Sequence, residues 1–451
     1  MNKILKKSII AVLLIIVLAV GLVFASGCET TLTREQLLEK YADSIQKEMK
    51  GCFDFFWDNA SKTEQGYGLI VDRSSDSGTA SIASVGFGLT AYIIGVEQGW
   101  VTREQAQERT LKTLQTLRRM QSMEDEGTAY QGFYAHFVSM SSGKNTKNTE
   151  ISSVDTAILL CGALSSAEYF GGEIATLANE IYGAVNWNSF IKVKNGKKMI
   201  SMSANPQTHV VSSGCWDWYA EQLMIYVLGA GSPVEEHRLT DETYYSFTRK
   251  TDSYGGHSFI YSWFGSIFTY QFSHAWIDFE GKTDKIGTNW FENSVEASKA
   301  AYQYCKDNAK VHETFAKGGW GLTACDTSTG YSGKLGTPPR GWNSSEDSSY
   351  TNIEGTVAPC GAIGSVVFTP QQSLEAMAYY QTVRILNDND EYGLRDSFNL
   401  DNGYIASDYI GIDKGISLLM LANYTDRTVW DLMMSNTYIN NGLQVLQITD
   451  K

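Results

Sequence analysis

Carboxylates are the reactive side chains that recur at the starts of the helix-like segments of this sequence. Glu221 lies among Trp and Tyr residues, and burial in such surroundings raises a carboxyl pKa, as a general acid at neutral pH requires. Asp413 falls in the first turn of a predicted helix, where the helix dipole favours the ionised form that a general base needs. Asp408 is its rival, and Asp155 is a third catalytic candidate. Stabilisation of a helix start accounts equally well for Asp413 and Asp155.

Aromatic and polar side chains near the same helix starts are suited to binding a sugar. Flat aromatic rings pack against the C–H faces of sugars, and neutral His and Asp side chains bind sugar hydroxyls. Core packing is the alternative for many of these rings and for both histidines. The predicted substrate-binding residues are Glu150, Trp216, Trp218, His257, Trp263, His274, Trp276, Asp278 and Asp408.

The composition and motifs disfavour several other chemistries. There is no GxSxG motif, no Gly-rich phosphate loop and no His or Cys spacing typical of a metal site, so we expect neither a cofactor nor a metal. The net charge of −14 disfavours nucleic acid as a partner and suits a neutral substrate. An acidic, aromatic cleft without cofactor signals favours glycoside chemistry, in which one carboxyl protonates the leaving oxygen and another activates water or attacks carbon.

Six polar stretches, each leading into an apolar segment rich in small residues, indicate how these side chains are positioned. A helix that is apolar all round is buried, whereas amphipathic segments such as 102–120 and 289–310 lie outside. About six such pairs describe an all-α (α/α)6 toroid forming a single domain over 33–451. We expect the polar stretches, and the active site, at one end of it. The stretches open near Gly78, Glu150, Gly214, Gly256, Glu354 and Gly411.

Smaller features refine this scheme. Small β-hairpin excursions are predicted over 129–149 and at Asn195-Gly196, the strongest short hairpin signal. Glu221 is expected one to two turns into the third inner helix, and the fourth inner helix is expected over about 258–273.

The N-terminus carries the pattern of a bacterial lipoprotein signal. Three lysines precede an apolar run from Ile9 to Ala25, and small residues then lead to Cys28. We expect a signal peptide over 1–27, lipidation of Cys28, and an exported protein anchored at the outer face of a bacterial membrane. An uncleaved membrane anchor is the alternative, because the run is long enough to cross a bilayer.

Five blocks occur in the order found in a known family, and they make the sequence similar to the glycoamylase-like domain of glycoside hydrolase family 144, the bacterial β-1,2-glucanases. The resemblance runs from about residue 33 to 440. The blocks are Ser84-Val-Gly-Phe-Gly-Leu-Thr-Ala91, Glu150-Ile-Ser-Ser-Val-Asp-Thr-Ala157, Gln271-Phe-Ser-His-Ala-Trp-Ile-Asp278, Trp320-Gly-Leu-Thr-Ala324 and Gly355-Thr-Val-Ala-Pro359.

This resemblance implies an (α/α)6 barrel and hydrolysis of β-1,2-glucan with inversion of the anomeric carbon. It also implies that Glu150, Asp155, Glu221 and Asp413 are acidic pocket residues. We expect a monomer. A lyase or glycosidase acting on another polysaccharide, and a surface lipoprotein that captures glycans without cleaving them, are the alternatives.

Overall fold

A computed structural model describes residues 31–342, 355–383 and 391–450. The expected signal peptide and the lipidation site Cys28 lie outside the described residues. The chain divides into two units, residues 1–40 and 41–451, and the side chains considered below belong to the second. Within the described part of the chain, no helix is both long enough and apolar enough to span a bilayer.

Helices dominate the described residues. The α-helices are α1 (Arg34–Asp58), α2 (Ile82–Glu97), α3 (Arg103–Met120), α4 (Ser153–Phe170), α5 (Gly172–Gly183), α6 (Leu223–Gly231), α7 (Asp241–Tyr244), α8 (Trp290–Asp307), α9 (Glu313–Ala316), α10 (Pro359–Ile363), α11 (Pro370–Tyr380), α12 (Gly411–Thr425), α13 (Thr428–Met434) and α14 (Thr437–Val445). Short 3₁₀ helices span Glu124–Glu126, Trp187–Phe190, Glu235–His237, Ile267–Tyr270 and Phe272–Ala275.

The strands are short and pair only as two-stranded antiparallel ladders in the described part of the chain. The pairs are β1 (Thr79–Ser81) with β4 (Phe137–Ser139), β2 (Ala129–Tyr130) with β3 (Phe133–Tyr134), β5 (Ile151–Ser152) with β8 (Ser203–Ala204), β6 (Ile191–Lys194) with β7 (Lys197–Ile200), β9 (Thr251–Tyr254) with β10 (His257–Ile260), β11 (Lys282–Thr283) with β16 (Thr449–Asp450), β12 (Cys325–Thr327) with β13 (Gly330–Ser332), and β14 (Phe398–Asn399) with β15 (Tyr404–Ile405).

The inner helices form the core, as the sequence predicts. Helices α2, α4 and α12 are buried along almost their whole length, and α2 packs between α4 and α12. Helix α4 continues the ring to α6, and α10 packs on α12. Amphipathic helices such as α3 and α8 alternate with these along the chain and lie outside. The predicted (α/α)6 fold is confirmed by this architecture and by its structural neighbours.

Small residues let the first two inner helices approach closely. A Cβ atom on Gly86 of α2 would lie 2.4 Å from the carbonyl oxygen of Ile158. A Cβ atom on Gly162 of α4 would lie 2.1 Å from the carbonyl oxygen of Gly86. Since both obstacles are backbone atoms, neither position accepts a side chain without movement of a whole helix.

Two inner elements differ from the prediction. Helix α6 begins only at Leu223, so Glu221 precedes the helix instead of lying within it. The expected fourth inner helix is instead strand β10 followed by two 3₁₀ turns. Gly265 has φ +69°, and its Cα hydrogen faces the Thr337 carbonyl at a distance that excludes a Cβ, so an α-helix cannot run through this position.

The local predictions are confirmed. Asn195 and Gly196 have φ +54° and +74°, as a type I′ turn between β6 and β7 requires. The 129–149 excursion forms β2, β3 and β4. These hairpins project at the end of the barrel where α4 begins, and they supply walls of the site.

Candidate active site

A cavity of about 500 Å³ opens beside the starts of α4 and α12, and we call it the inner cavity. It lies at the end of the barrel where the sequence predicts the site. Its lining is mixed, with acidic groups on several elements and apolar side chains beneath them. The polar lining is Asp72, Arg73, His136, Asp155, Glu221 and Tyr331, and the apolar lining includes Ala83, Phe268, Phe272 and Ile412.

A second space of about 800 Å³ adjoins the first, and we call it the aromatic lobe. Glu221 and Phe268 line both spaces, so the two meet at this carboxyl. The lobe is bounded by the segment before α6, by the β6–β7 hairpin and by the loop around residue 263. Its principal side chains are Lys194, Trp216, Asp217, Trp218, Trp263, Phe264 and Phe268.

Glu221 has the protonation behaviour of a general acid. Burial raises its pKa to about 7, with a smaller rise from the negative charge of Asp155, although its own backbone N–H partly opposes both. The carboxyl is therefore substantially protonated at neutral pH while it faces the space between the two cavities. The Ser273 hydroxyl holds this segment by donating to the Glu221 carbonyl at 2.7 Å.

Asp155 lies on the first turn of α4 beside a histidine that the sequence analysis did not single out. Its Oδ2 accepts a hydrogen bond from the Ser152 hydroxyl, and its Oδ1 lies 3.7 Å from Nε2 of His136. The other ring nitrogen of His136, Nδ1, is 3.0 Å from Oε1 of Glu150. The structure thus brings the predicted Asp155 and Glu150 together through one imidazole.

The charge state of His136 follows from these neighbours. Burial by itself lowers the pKa of His136, but the carboxylates of Asp155, Glu150 and Asp72 outweigh it and raise the pKa to about 9. His136 is therefore an imidazolium at neutral pH. In return, the hydrogen bond from His136 lowers the pKa of Glu150.

Arg73 links the opposite wall of the inner cavity. Its Nη1 donates to Oδ2 of Asp326 at 3.1 Å and to Oδ2 of Asp408 at 3.2 Å, and its Nε faces Oδ2 of Asp72 at 3.5 Å. Burial raises the pKa of Asp72, and the nearby Arg73 opposes that rise. We call Arg73, Asp326 and Asp408 the arginine wall.

The Asp408 carboxylate is hydrogen-bonded within the arginine wall. Besides Arg73, it accepts hydrogen bonds from the hydroxyls of Ser74 and Ser75 and from the backbone N–H of Ser75. Its oxygens are therefore occupied by the loop that carries Arg73, which suits a positioning role better than contact with substrate.

Asp413 does not lie on the inner cavity, contrary to its predicted role as the base. Its neighbours Ile410 and Ile412 line that cavity, whereas the Asp413 carboxyl points behind it, towards Asp396. Burial, followed by the charge of Asp396, raises the pKa of Asp413 well above its ordinary value. The helix dipole, which favours ionisation, is outweighed because the carboxyl is desolvated beside a second acid.

The three tryptophans predicted before and beyond α6 come together in the aromatic lobe. Trp218 and Trp263 meet edge to face with ring centroids 5.1 Å apart, and Trp263 is 39% exposed. Trp218 is held by its Nε1, which donates to the Tyr261 carbonyl at 3.1 Å, and Trp216 donates to the Ser153 hydroxyl at 3.0 Å. The Nε1 groups of Trp216 and Trp218 are thus satisfied, and Trp263 presents the most exposed ring of the three to the lobe.

Two predicted substrate-binding residues of the 271–278 block belong to the core. Trp276 is fully buried and donates to the Thr90 hydroxyl at 2.9 Å. His274 is also buried, with Nε2 3.1 Å from the Ser294 hydroxyl, and burial lowers its pKa to about 3, so the ring is neutral. Both rings are therefore enclosed in the core, and neither has the cavity-facing position that was expected of a sugar contact.

Asp278 and His257 also lie away from the two cavities. Asp278 forms an ion pair at 2.5 Å with Arg427, just beyond the last residue of α12 and therefore at the opposite end of that helix from the site. His257 is on β10, where its Nδ1 lies 2.9 Å from Oε2 of Glu296 on the outer helix α8. Neither residue has the substrate-facing position that was expected.

Sequence reasoning missed His136, Asp326 and Tyr331, although each lies at the site. They come from β-hairpins and a loop, where no helical periodicity marks the inward face. In the described part of the chain, no group of three or more His, Cys, Asp or Glu side chains is arranged to hold a metal ion.

Residues 214–437 match the family model named Glycoamylase and described as "Putative glucoamylase". The chain contains a glycoamylase-like domain. The resemblance inferred from the five sequence blocks is thereby confirmed. The matched residues of this glycoamylase-like domain include Glu221, the three tryptophans of the aromatic lobe and helix α12.

Solved and curated relatives extend the likeness over nearly the whole chain. A Bacteroides uniformis crystal structure named as a putative glucoamylase has a TM-score of 0.78 and 28% identity, covering 94% of this chain and 99% of that chain. An endo-β-1,2-glucanase from Chitinophaga pinensis, in complex with sophorotriose and glucose, has a TM-score of 0.78 and 23% identity, covering 93% and 99% respectively.

A curated relative is the exo β-1,2-glucooligosaccharide sophorohydrolase (non-reducing end) of Parabacteroides distasonis, which is 26% identical over 453 residues. The match covers 92% of this chain, and this chain spans 58% of the length of that relative.

Proposed function

We propose that the glycoamylase-like domain is a glycoside hydrolase that cleaves β-1,2-glucan. The observation that carries this proposal is the Glu221 carboxyl, whose pKa of about 7 leaves it protonated at the junction of an acidic cavity and a tryptophan-lined lobe. The substrate comes from the relatives: the Parabacteroides distasonis protein acts on β-1,2-glucooligosaccharides, and the Chitinophaga pinensis enzyme is a β-1,2-glucanase.

In the proposed reaction, Glu221 donates its proton to the glycosidic oxygen as the C1–O bond breaks. Asp155 accepts a proton from a water molecule whose oxygen forms the new bond to C1. We assign the base role to Asp155 because it lines the same cavity as Glu221 and its Oδ1 is not held by a hydroxyl or amide. The His136 ring helps to position the proposed base, since its Nε2 lies 3.7 Å from Oδ1 of Asp155.

We further propose inversion at the anomeric carbon, since water is the nucleophile in this scheme. Hydrolysis of a β-linkage then releases the α-anomer first, which ¹H NMR detects before mutarotation. Initial release of the β-anomer would indicate a covalent intermediate and a retaining mechanism. Asp155→Asn and Asp72→Asn variants distinguish the two cavity carboxyls other than Glu221, because replacement of the base lowers kcat far more than replacement of a neighbour.

The direct test is incubation of the protein with β-1,2-glucan, laminarin and starch, followed by measurement of new reducing ends. We expect them from β-1,2-glucan alone. Binding of the glucan without new reducing ends would instead indicate glycan capture, and ultraviolet absorbance from an unsaturated product would indicate a lyase.

We also propose that the chain is exported and lipidated at Cys28, on the strength of the N-terminal sequence pattern, and that it acts as a monomer. Metabolic labelling with a fatty acid in the native host or in a bacterial expression strain, followed by membrane fractionation, tests the anchor. A Cys28→Ser variant that still carries label would exclude Cys28 as the lipidated residue. Light scattering of a variant lacking residues 1–28 measures the oligomeric state.

A further inference from the structure

Asp413 and Asp396 form a buried pair of acids immediately behind the inner cavity. Asp413 is on the first turn of α12, and Asp396 lies in the loop that precedes β14. They are only 7% and 2% exposed, and both line a void of about 10 Å³, which holds at most one water molecule. Because both acids line this small void, the charge of Asp396 adds to burial in raising the pKa of Asp413.

One carboxyl oxygen of Asp396 has a hydrogen-bond donor and the other has none among the described residues. Its Oδ2 accepts from the backbone N–H of Asp326 at 2.7 Å. Its Oδ1 is buried and accepts from no amide, hydroxyl or cation among the described residues. An ionised Asp413 could not donate to Oδ1, because a carboxylate has only acceptors. A protonated Asp413 could, because it carries an O–H group.

Lys414, a cation that lines the same void, does not neutralise the pair. The three N–H groups of Lys414 are used by Oε1 of Glu48 at 2.8 Å and by the carbonyls of Tyr392 and Leu394 at 3.1 and 2.6 Å. Two ionised acids would therefore lie together in a site shielded from water, at a cost that sharing one proton avoids.

We propose that Asp413 is protonated and donates its O–H to Asp396, and that this acid–carboxylate pair positions the arginine wall of the inner cavity. The bonds form a continuous path. Asp396 accepts the N–H of Asp326, the Ser397 hydroxyl donates to the Asp326 carbonyl at 2.5 Å, and the Asp326 carboxylate holds Arg73. Asp413 is thus a positioning residue, with no contact to the cavity in which substrate is proposed to bind.

Groups from each surrounding element face the pair, and they favour the shared proton. They are Glu48 of α1, Cys325 and Asp326 of β12, Tyr331 of β13, Cys360 of α10 and Lys414 of α12. Lys414 and Arg395 are the two cations among the groups that line the void, and the groups named from the other elements are acidic or neutral. Arg395 lines the same void, with its guanidinium 6.0 Å from the centre of the Tyr409 ring.

The first experiment measures stability against pH and needs no activity. The pKa of Asp413 is raised above its unfolded value of about 3.9, so the folded state binds one proton more than the unfolded state as pH rises above 4. Relative to Asp413→Asn, which cannot titrate, the unfolding equilibrium constant of the unaltered protein should rise with pH by up to about tenfold per unit, from the unfolded pKa up to the raised folded pKa of Asp413. Asp252→Asn, the same change at an exposed aspartate, is the control and should show no such slope.

A parallel pH dependence of the unaltered protein and Asp413→Asn would overturn the proposal, because it would mean that Asp413 is ionised when folded. Chemical denaturation at each pH gives the equilibrium constants. Asp413→Asn is expected to fold, since its side-chain amide is isosteric with the acid and still donates to Asp396.

The second experiment measures activity and rests on the proposed function. Asp413→Asn should retain kcat within about threefold, whereas Asp413→Ala, which offers no donor to Asp396, should lower it at least tenfold with a shifted pH profile. Loss of more than a thousandfold in a folded Asp413→Asn would overturn the proposal by placing Asp413 in the chemistry. If the unaltered protein cleaves no glycan, the proposed function fails, while the stability experiment still decides the protonation of Asp413.

Discussion

Glu221 and Asp155 line one cavity, and the negative charge of Asp155 adds to burial in raising the pKa of Glu221 to about 7. The two carboxyls come from different inner segments, one before α6 and the other on α4. Environments that separate the protonation of two carboxyls are what acid–base cleavage of a glycosidic bond requires.

Replacement of Glu221 by Gln should remove most of the activity without unfolding the protein. The amide keeps the shape of the side chain but has no proton to give to the leaving oxygen, so kcat should fall by about 10²–10⁴. Glu235→Gln, the same change at an exposed position, is the control for stability and turnover. A Glu221→Gln enzyme with full activity would remove Glu221 from the acid role.

The activity should decline on the alkaline side of neutrality. The proton that Glu221 donates is present below its pKa of about 7, so kcat/KM should fall tenfold per unit at higher pH. Initial rates on β-1,2-glucan between pH 5 and 9 measure this limb. A rate that stays constant up to pH 9 would contradict the assignment.

Replacement of His136 by Gln should lower kcat, because Asp155 and Glu150 lose the ring that links them at the wall of the inner cavity. His136 also contributes to the stability of the folded state, and this contribution is lost at alkaline pH. Its pKa rises from 6.5 unfolded to about 9 folded, so the contribution is complete below pH 6.5 and is lost as pH rises through 9. His257→Gln, beside Glu296 on the outer surface, should leave kcat unchanged.

Removal of the Trp263 side chain should weaken substrate binding more than catalysis. Trp263 is 39% exposed in the aromatic lobe, and loss of one stacking ring corresponds to ~1.4 kcal/mol, or about a tenfold rise in KM. His257→Ala should leave KM unchanged, since that ring lies outside the lobe. An unaltered KM for Trp263→Ala would show that the lobe does not hold the substrate.

Replacement of Gly86 by Ala should destabilise the fold by about 1–3 kcal/mol, because the new methyl group would meet the Ile158 carbonyl of α4 at 2.4 Å. Gly333→Ala is the matched control, because no atom lies within 4 Å of its added Cβ and its φ is not positive. Equal midpoints for the two variants in urea denaturation would contradict the close crossing of α2 and α4.

Whether the environment of a residue could be predicted depended on whether its neighbours in space are also its neighbours in the sequence. Trp216 and Trp218 lie within five residues of Glu221, so their local clustering already indicated an apolar setting for that carboxyl. The prediction for Asp413 used an equally local rule, the helix dipole, and that effect is outweighed by burial and by the charge of Asp396 from another loop. His136 gave no local signal, since its role arises from Asp155 and Glu150 on the next element.

The sequence by itself determined the alternation of buried and amphipathic helices, the Asn195-Gly196 turn and the end of the barrel at which the acids gather, because periodicity, turn chemistry and helix starts are local properties. Tertiary structure alone decided which acids share a cavity, which of them hold protons and which aromatic rings remain exposed. Those outcomes depend on burial and on charges brought together from distant segments, and their free energies are set by distances through space instead of spacing along the chain.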